Sequence, residues 1–436
     1  MSQTARPSLT LKRKLLFACI SFLLFLLVVE GVARLWELRG RTDRIGFRQL
    51  FQRDARLMWR IRPYADFHGL IVNAQGHRGV DFTRDKPPGA TRIACVGDSC
   101  TFGGSYRPGA DYPAQLEAAL NRSAGDGRRF QVYNFSGHGY SSHQGRILFE
   151  EALLYRPDVA IVYFGPNDYL FASHLSDASA PVLPTWFVRM DNFLWHSAGY
   201  RLLVSRSREW PVRALPPGAD ETNFREYLPR RVSSEEYREN LAAMARRAKE
   251  EGVRLIFLDI SLRPEIPLML NQIPIYDATS RVVHWYAARP EEGSKTDRLP
   301  AGEAIALGRL DEVEPDELER MLSACPDFAA GYYARAWLSE RAGRIADASA
   351  DFARAADLDF DRRVIEEYRR ALRAVGQEFG APVLSPAEWM PAGREAWRYF
   401  HDERHLTEEG DRKLGEWLAA KLDGMEFETG LRDGRD

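Results

Sequence analysis

The chain has few cysteines, few histidines and almost no net charge, and each shortage argues against a class of function. Four cysteines among 436 residues form no Cys-x-x-Cys pair and leave Cys325 without an obvious mate, so no disulfide framework is expected. His68, His77, His174, His196 and His284 form no metal-ligand spacing such as His-x-x-x-His, and no metal is predicted. A formal net charge of −2, without a basic cluster beside stacking aromatic residues, predicts no binding to nucleic acid.

Long apolar runs are scarce too, and the N-terminus holds one that suggests a membrane segment. Positions 15 to 29 are uncharged, follow three basic residues, and continue past Glu30 to Trp36. This pattern predicts a transmembrane signal anchor over residues 15–36, with residues 1–14 in the cytoplasm and the remainder on the outer, periplasmic side of the inner membrane. A cleaved signal peptide is the alternative, because Gly31-Val32-Ala33 is an acceptable small-x-small cleavage site. Arg34-Leu35-Trp36 is typical of an interfacial helix end and favours the anchor.

The chain does contain a serine placed for nucleophilic chemistry. Arg92–Val96 predicts a short buried strand, and Gly97-Asp98-Ser99 ends it with turn-forming residues ahead of a helical pattern from Tyr112. In an open parallel sheet, ligands bind outside the carboxyl ends of the strands, and a helix N-terminus there favours negative charge. Ser99 is therefore a candidate nucleophile.

A serine hydroxyl needs a base, and the C-terminal part of the chain offers one. Asp402 and His405 are three residues apart, so a single loop can present both, and the helix around Leu414–Leu422 can anchor that loop. We interpret His405 as the general base and then the general acid, with Asp402 as the residue that orients it. Alternatively, Asp402 only positions the loop.

Two further strand ends supply donors for the oxyanion that acyl transfer creates. Gln131–Phe135 predicts the second strand, and Gly139 follows it where a backbone N–H can approach a substrate closely. Val159–Phe164 predicts the third strand, and the side-chain amide of Asn167 just after it can donate to the same oxygen.

Other polar residues beside these motifs are expected to be structural. Asn134 is predicted to satisfy backbone groups of its loop, and Asp168 to shape a turn. His138, His143 and His401 lie close to the motifs, but we expect them to support loops rather than to act as second bases.

In their order and spacing, these motifs resemble the blocks of the GDSL, or SGNH, hydrolase family: Gly-Asp-Ser at 97–99, Asn-x-x-x-x-Gly at 134–139, Gly-x-Asn-Asp at 165–168 and Asp-x-x-His at 402–405. The resemblance covers roughly residues 90–260 and 360–425. It implies that Ser99 is the nucleophile, that its N–H forms an oxyanion hole with Gly139 and Asn167, and that Asp402 and His405 complete the triad. Such an esterase needs no cofactor.

The chain is predicted to divide into a cytoplasmic N-terminus (1–14), the anchor (15–36), a membrane-proximal segment (37–90), the first part of a hydrolase domain (91–261), a helical insertion (262–362), the second part of the hydrolase domain (363–425) and a polar tail (426–436). Within the insertion, residues 327–360 resemble a single tetratricopeptide repeat. One repeat cannot bury its apolar face alone, so it must pack on the hydrolase, on other helices of the insertion, or on a protein partner. Residues 171–232 are interpreted as a lid or acyl-binding wall, or as an irregular layer on the core.

The predicted fold is a three-layer, flavodoxin-like α/β architecture with about five parallel strands and helices on both faces of the sheet. The predicted function is a serine esterase or acylhydrolase that hydrolyses or transfers an ester-linked acyl group, of a lipid or an acylated glycan, through an acyl-Ser99 intermediate. One alternative is an O-acetyltransferase or O-acetylesterase acting on an envelope polysaccharide. The other is a scaffold whose repeat binds a protein and whose hydrolase site is vestigial, which the intact motifs argue against. Cys100 replaces the larger apolar residue usual in the family, which would alter the acyl pocket.

Overall fold

The computed structural model describes residues 10–39, 50–65, 67–124, 129–170, 172, 175–207, 230–260, 274–276, 282–285, 304–305, 310–324, 326, 328–358, 360–391, 393–401 and 404–424. The chain forms two compact units, which are described separately. Unit 1 comprises Met1–Arg62 and Val182–Val212, and unit 2 comprises Pro63–Pro181 and Arg213–Asp436.

The elements have the following bounds, in chain order. The helices are α1 (Leu11–Leu38), α2 (Ser99–Phe102), α3 (Tyr112–Ser123), α4 (Ser142–Leu153), α5 (Thr185–Leu194), α6 (Ala198–Ser207), α7 (Ser234–Glu251), α8 (Pro315–Ala324), α9 (Ala329–Arg341), α10 (Ile345–Leu358), α11 (Phe360–Phe379) and α12 (Glu408–Asp423). The strands are β1 (Phe51–Asp54), β2 (Met58–Ile61), β3 (Ala90–Gly97), β4 (Arg129–Ser136), β5 (Val159–Tyr163), β6 (Arg254–Leu258), β7 (Pro274–Tyr276), β8 (Val282–Trp285) and β9 (Val383–Leu384). Short 3-10 helices cover Asp177–Ser179, Leu310–Glu312, Pro386–Glu388 and Gly393–Tyr399.

Unit 2 is built on a five-stranded parallel sheet with the strand order β4-β3-β5-β6-β9. The chain enters at β3, moves outward to β4, and then crosses to β5 on the other side of β3. This reversal is a topological switch point, and in such sheets the crevice outside the carboxyl ends of the strands is the usual ligand site. The predicted α/β fold with five parallel strands is confirmed.

Helices cover both faces of this sheet, and its strands are therefore buried on both sides. On one face, Ile93, Ile161 and Ile256 pack in a common core with Leu116 of α3 and Leu414 of α12. On the other side, α4 and α7 contact the sheet and each other, and α11 packs on α7. Truncating a fully buried leucine in such a core costs about 2–5 kcal/mol, so these contacts fix the positions of the strand ends.

Unit 1 joins α1 to a hairpin, β1 and β2, and to helices α5 and α6. By length and composition, α1 is apolar enough to cross a membrane, and its apolar side chains are exposed. The same test is passed by a signal sequence. The N-terminal apolar helix that the sequence predicts is therefore present.

The described part of the insertion forms a hydrophobic core of its own. Helices α9 and α10 pack against each other, and Tyr333 and Phe352 meet at 5.4 Å between ring centroids. Leu318 and Leu322 of α8 are buried in the same cluster. Helix α8, another helix of the insertion, therefore packs on the α9–α10 pair, which is one of the three possibilities that the sequence leaves open. Whether the pair is a tetratricopeptide repeat stays a prediction.

The structure differs from the sequence-based expectation in two places. Residues 185–207 lie in the segment 171–232, which is interpreted from the sequence as a lid, an acyl-binding wall or an irregular layer, yet they form the regular helices α5 and α6. Helix α5 buries Val188 on one side, with Trp195 buried at its C-cap, while it exposes Trp186 and Phe193 on the other side, so apolar residues on both faces hide the helical pattern. The second difference is α2, a single turn that begins at the serine itself.

Candidate functional site

Ser99 lies directly after the carboxyl end of β3. It is the first residue of α2, so its backbone N–H has no acceptor within that helix. Asp98 caps the turn, because its carboxylate accepts a hydrogen bond from the Cys100 N–H at 2.8 Å. Ser99 is 7% exposed and Asp98 is fully buried. The serine hydroxyl is thus held by the backbone at the edge of the sheet where ligands bind.

Gly97 makes the sharp turn into the serine possible. A Cβ at this position would collide with the Thr101 hydroxyl and would lie 2.8 Å from the Tyr163 carbonyl oxygen. The glycine of the Gly-Asp-Ser motif is therefore required by close packing between β3, β5 and α2.

His405 reaches Ser99 from a loop near the C-terminus. Its Nε2 lies 2.8 Å from the Ser99 Oγ. Phe400 and Leu406 form a bridge that closes the loop, and the His401 N–H donates to the His405 carbonyl at 2.8 Å. Leu406 is buried in the core with α3 and α12, so packing fixes the residue that follows the histidine. Nε2 can accept the serine proton when Nδ1 carries the ring hydrogen.

Further contacts tie the serine loop to the histidine loop. The Cys100 Sγ donates to the Arg404 carbonyl at 3.5 Å. The Glu408 carboxylate, in the first turn of α12, accepts from the Ser105 Oγ and from an Arg107 guanidinium nitrogen, each at 2.7 Å. Cys100 also lines a small cavity of about 20 Å³ together with Leu406. The cysteine that departs from the family pattern thus borders free space about the size of one water molecule.

Asn167 and Gly139 lie on the loops that follow the neighbouring strands. The Asn167 Nδ2 donates to the Tyr140 carbonyl at 3.0 Å and to the Asp98 carboxylate at 3.2 Å. Asn167 is 7% exposed. Gly139 has a φ of 71°, a left-handed conformation that glycine adopts without strain. The Asn167 amide can donate to an oxyanion if its longer hydrogen bond, to the Asp98 carboxylate, is replaced by one to the substrate oxygen.

Two buried carboxyl groups support these loops. Asp168 accepts from the Ser142 N–H at 2.9 Å, which joins the turn after β5 to the N-terminus of α4. Burial raises the pKa of Asp168 to about 7, and burial also raises the pKa of Asp98 to about 6. A proton on Asp168 is therefore favoured by folding, since an exposed aspartate has a pKa near 3.9.

The raised pKa of Asp168 predicts a pH-dependent difference between the wild type and Asp168→Asn. A raised pKa in the folded state contributes stability that is complete below about pH 4 and is lost as the pH rises through about 7. Asparagine keeps an acceptor for the Ser142 N–H without a titrating group. We expect Asp168→Asn to gain stability relative to the wild type between pH 5 and pH 8, by on the order of a few kcal/mol.

Denaturant unfolding of the full chain in detergent micelles at both pH values measures this difference. Asp316→Asn, at an exposed position of α8, is the control and should leave the pH dependence unchanged. An equal free-energy difference between Asp168→Asn and the wild type at pH 5 and pH 8 would mean that Asp168 does not titrate in this range.

An ion pair that the sequence analysis missed holds the glycine loop. Arg231 donates to the Gly139 carbonyl at 2.8 Å and binds the Asp177 carboxylate at 2.8 and 3.2 Å. Asp177 also accepts from the Ser141 hydroxyl, at the N-cap of α4, at 2.6 Å. The side chains of Arg231 and Asp177 are only 15% and 9% exposed. Arg231 is thus a positioning residue for the loop that contains Gly139.

The segment before β3 supplies a second supporting residue that the sequence did not indicate. Arg78 is buried and pairs with the Asp111 carboxylate at 2.8 Å, and it donates to the Phe102 and Arg107 carbonyls at 2.8 Å each. Asn134, in turn, donates to Asp111 at 3.2 Å. These bonds clamp the loop that follows Ser99. Asn134 also donates to the Thr101 carbonyl at 3.0 Å, so it satisfies a backbone group as predicted, although that group lies in α2 and not in its own loop.

The remaining residues near the motifs are Asp402 and three histidines. Asp402 lies outside the described residues, and its role stays a prediction. His138 is half-buried, and desolvation of its imidazole lowers its pKa to about 4, so it is neutral at pH 7. His143 is the second residue of α4 and His401 is exposed, whereas the imidazole that contacts Ser99 is that of His405. Within the described part of the chain, no group of three His, Cys, Asp or Glu side chains is arranged to bind a metal ion.

A parallel α/β sheet with a serine–histidine pair at the carboxyl ends of its strands is the arrangement of a class of enzymes, the serine hydrolases. Residues 95–289 match the model of the GDSL-like lipase/acylhydrolase family. The resemblance of the motifs is thereby confirmed. Ser99, Gly139 and Asn167 lie inside the matched range, and His405 lies beyond it.

Individual proteins match the chain over very different lengths. An acetylxylan esterase of Xylanibacter ruminicola is 35% identical over 88 residues, which cover 18% of this chain and only 17% of that protein. A G-D-S-L family putative lipolytic protein of Desulfitobacterium hafniense is 11% identical, covers 76% of this chain and 98% of its own, and has a TM-score of 0.34. The lipase/acylhydrolase of Enterococcus faecalis is 13% identical, with coverages of 77% and 96% and a TM-score of 0.35. Structural likeness at this level gives no information on function.

Proposed function

We propose that this protein is a serine esterase that works through an acyl-Ser99 intermediate. The observation that supports this most strongly is the 2.8 Å contact between the Ser99 Oγ and the His405 Nε2 at the switch point of the sheet. The match of residues 95–289 to the acylhydrolase family supports the same reaction class.

Each step of the proposed reaction uses a group of this chain. The Ser99 Oγ attacks the ester carbonyl carbon, and its proton passes to the His405 Nε2. The oxyanion is held by the N–H groups of Ser99 and Gly139 and by the Asn167 amide. Collapse of this intermediate expels the alcohol, which takes the proton from His405. Water, activated by His405, then attacks the acyl-enzyme and regenerates the serine.

Asp402 is proposed to orient the imidazole from the same loop. Asp402 precedes His405 by three positions, a spacing that lets one loop present both side chains, and the motif matches the family pattern. An orienting carboxylate stabilises the imidazolium that forms when the serine proton is transferred.

The second candidate function concerns the substrate. The 35% identity to part of an acetylxylan esterase favours an acetyl ester carried by a polysaccharide, and an O-acetyltransferase that passes the acetyl group to a second alcohol would use the same acyl-enzyme. Lipid esters remain the other substrate class of the main proposal.

The location is proposed from α1. Positive charges at positions 12–14 precede its apolar run, which favours an N-terminus in the cytoplasm and a hydrolase domain on the outer side of the inner membrane. The helix is proposed to remain as an anchor rather than to be cleaved.

The proposal is tested by hydrolysis of p-nitrophenyl acetate, butyrate and octanoate by the full chain in detergent micelles. We expect turnover, with acetate preferred if the physiological substrate is an acetyl ester, and release of acetate from acetylated xylan in that case. A folded protein that hydrolyses none of these esters would count against the esterase. Transfer of acetyl groups to an added glycan, without hydrolysis, would favour the transferase.

Arg231 should affect the rate without affecting substrate binding. Lysine keeps the charge beside Asp177 but cannot bond to Asp177 through two nitrogens while also donating to the Gly139 carbonyl. We expect Arg231→Lys to lower kcat about tenfold or more with little change in KM, because a displaced oxyanion loop weakens transition-state binding selectively. Steady-state kinetics on p-nitrophenyl acetate measures this.

The control for Arg231 is Arg335→Lys. Arg335 binds Asp351 through two nitrogens at 2.8 Å each, so the substitution removes the same kind of ion pair from the insertion. It should leave kcat unchanged. A rise in KM with constant kcat for Arg231→Lys would show that Arg231 acts on substrate binding instead.

A further inference from the structure

Helix α5 exposes an apolar stripe to solvent. Trp186, Met190 and Phe193 are spaced by four and three residues, which places them on one face of the helix. Their exposed fractions are 67%, 43% and 75%. Three large apolar side chains in one row at this exposure are unusual for a surface that contacts only water.

The opposite face of α5 is fixed firmly within unit 1. Val188 and Asp191 are buried, and Asp191 accepts from the Arg53 guanidinium at 2.9 Å. Asn192 exchanges two hydrogen bonds with the Arg53 backbone, at 2.9 and 3.0 Å. The helix cannot turn its apolar stripe inward without breaking these bonds. The stripe is therefore a permanent feature of the surface of unit 1.

Contacts between α1 and α6 bring α5 close to the end of the apolar run. Glu30, the first charged residue after that run, caps the N-terminus of α6: it accepts from the Ser197 hydroxyl at 2.7 Å and from the Ala198 and Gly199 N–H groups at 3.0 Å each. Arg201 binds Glu37 through two nitrogens, at 2.8 and 2.7 Å. The start of α6 thus lies beside the outer end of the predicted anchor, six residues before Trp36.

The chain length from this point to α5 is short. Phe193 precedes Ser197 by four residues, and four residues span at most about 14 Å. The polar headgroup regions together add about 10–15 Å to the hydrocarbon core, and interfacial helices sink their apolar face about 5–10 Å into that boundary. Tryptophan is enriched at this depth, which fits both Trp186 and the exposed Trp36 of α1.

The geometry points to α5 as an interfacial helix whose Trp186, Met190 and Phe193 side chains insert into the surface of the bilayer that holds α1; this inference rests on the proposed anchor. The partner is a phospholipid surface. Arg189, exposed on the same helix, lies beside the stripe and suits contact with anionic headgroups. Unit 1 would then be held to the membrane by two elements, one spanning and one lying flat.

Quenching of tryptophan fluorescence by brominated phosphatidylcholine tests this inference on the full chain in lipid nanodiscs. Three matched variants are compared with the wild type. Trp186→Phe reports on the stripe, Trp36→Phe reports on the end of α1, and Trp417→Phe, in α12 of unit 2, is the control. We expect Trp36→Phe and Trp186→Phe each to lose part of the lipid-quenched emission and Trp417→Phe to lose none. Met190→Asp combined with Phe193→Asp should lower the quenching of Trp186.

The outcomes separate failure of the stripe from failure of the anchor. Quenchable emission from Trp36 but not from Trp186 would overturn the interfacial helix and leave the anchor standing. If lipid quenches the emission of neither Trp36 nor Trp186, both the interfacial helix and the anchor are overturned. If lipid does not quench Trp186 in the wild type and two chains can be cross-linked through this surface, a second copy of the protein covers the stripe. That result also contradicts the inference.

Discussion

Ser99→Ala is expected to reduce ester hydrolysis to background while leaving the fold intact. The hydroxyl is the proposed nucleophile, and removal of a catalytic serine typically costs on the order of a millionfold in kcat. The substitution deletes one oxygen from a residue that is 7% exposed, so the free energy of unfolding should change little. The kcat for p-nitrophenyl acetate, with circular dichroism as a check of folding, measures the effect.

His405→Ala should cause a loss of similar size, and the double variant should be no worse than either single one. Residues that act as one unit lose their contribution together, so the effects do not add. His401→Ala, four residues away in the same loop, is the matched control and should retain most of the activity. Activity that survives in Ser99→Ala, or that is lost equally in His401→Ala, would contradict the assigned roles.

Asn167→Ala is expected to lower kcat about a hundred- to a thousandfold with a smaller effect on KM. Its amide is the proposed side-chain donor to the oxyanion, and removal of one such donor has this cost in other enzymes. The amide now donates to Asp98 and to the Tyr140 carbonyl, so part of the loss could come from altered packing. Asn167→Asp, which keeps the shape but replaces the donor by an acceptor, should lose at least as much.

Asn121→Ala separates catalysis from stability in this experiment. Asn121 joins α3 to the start of β4 by two hydrogen bonds to Phe130, at 2.9 and 3.0 Å, at the opposite end of the strand from the loop that contains Gly139. Its removal should lower the free energy of unfolding and leave kcat unchanged. A fall in kcat of less than about tenfold for Asn167→Ala would mean that the backbone N–H groups carry the oxyanion alone.

The parts of the site that follow strands were predictable from the sequence. Ser99 and Asn167 come directly after apolar runs, and parallel strands bring their carboxyl ends to one edge of the sheet. His405 follows no strand, and its position 306 residues from Ser99 was predicted because the motif resembles a known block and a helical pattern follows it. The packing of Leu406 in the core explains how that loop is held.

The supporting residues could not be predicted in this way. Arg231 contacts the Gly139 carbonyl across 92 residues of sequence, and Arg78 contacts the Phe102 carbonyl across 24. An arginine that bonds to a backbone carbonyl leaves no periodic pattern and needs no particular residue as its partner. Helix α5 was missed for a related reason, since Trp186 and Phe193 face outward where polar residues would be expected.

The central claim is that Ser99 is the nucleophile, and covalent labelling tests it most directly. The full chain is treated with a fluorophosphonate, which phosphonylates an activated serine oxygen with loss of fluoride, and the modified peptide is identified by mass spectrometry. We predict one adduct, on Ser99, that is absent from Ser99→Ala and strongly reduced in His405→Ala. An adduct on another residue, or an enzyme that hydrolyses esters yet forms no adduct at Ser99, would contradict the account.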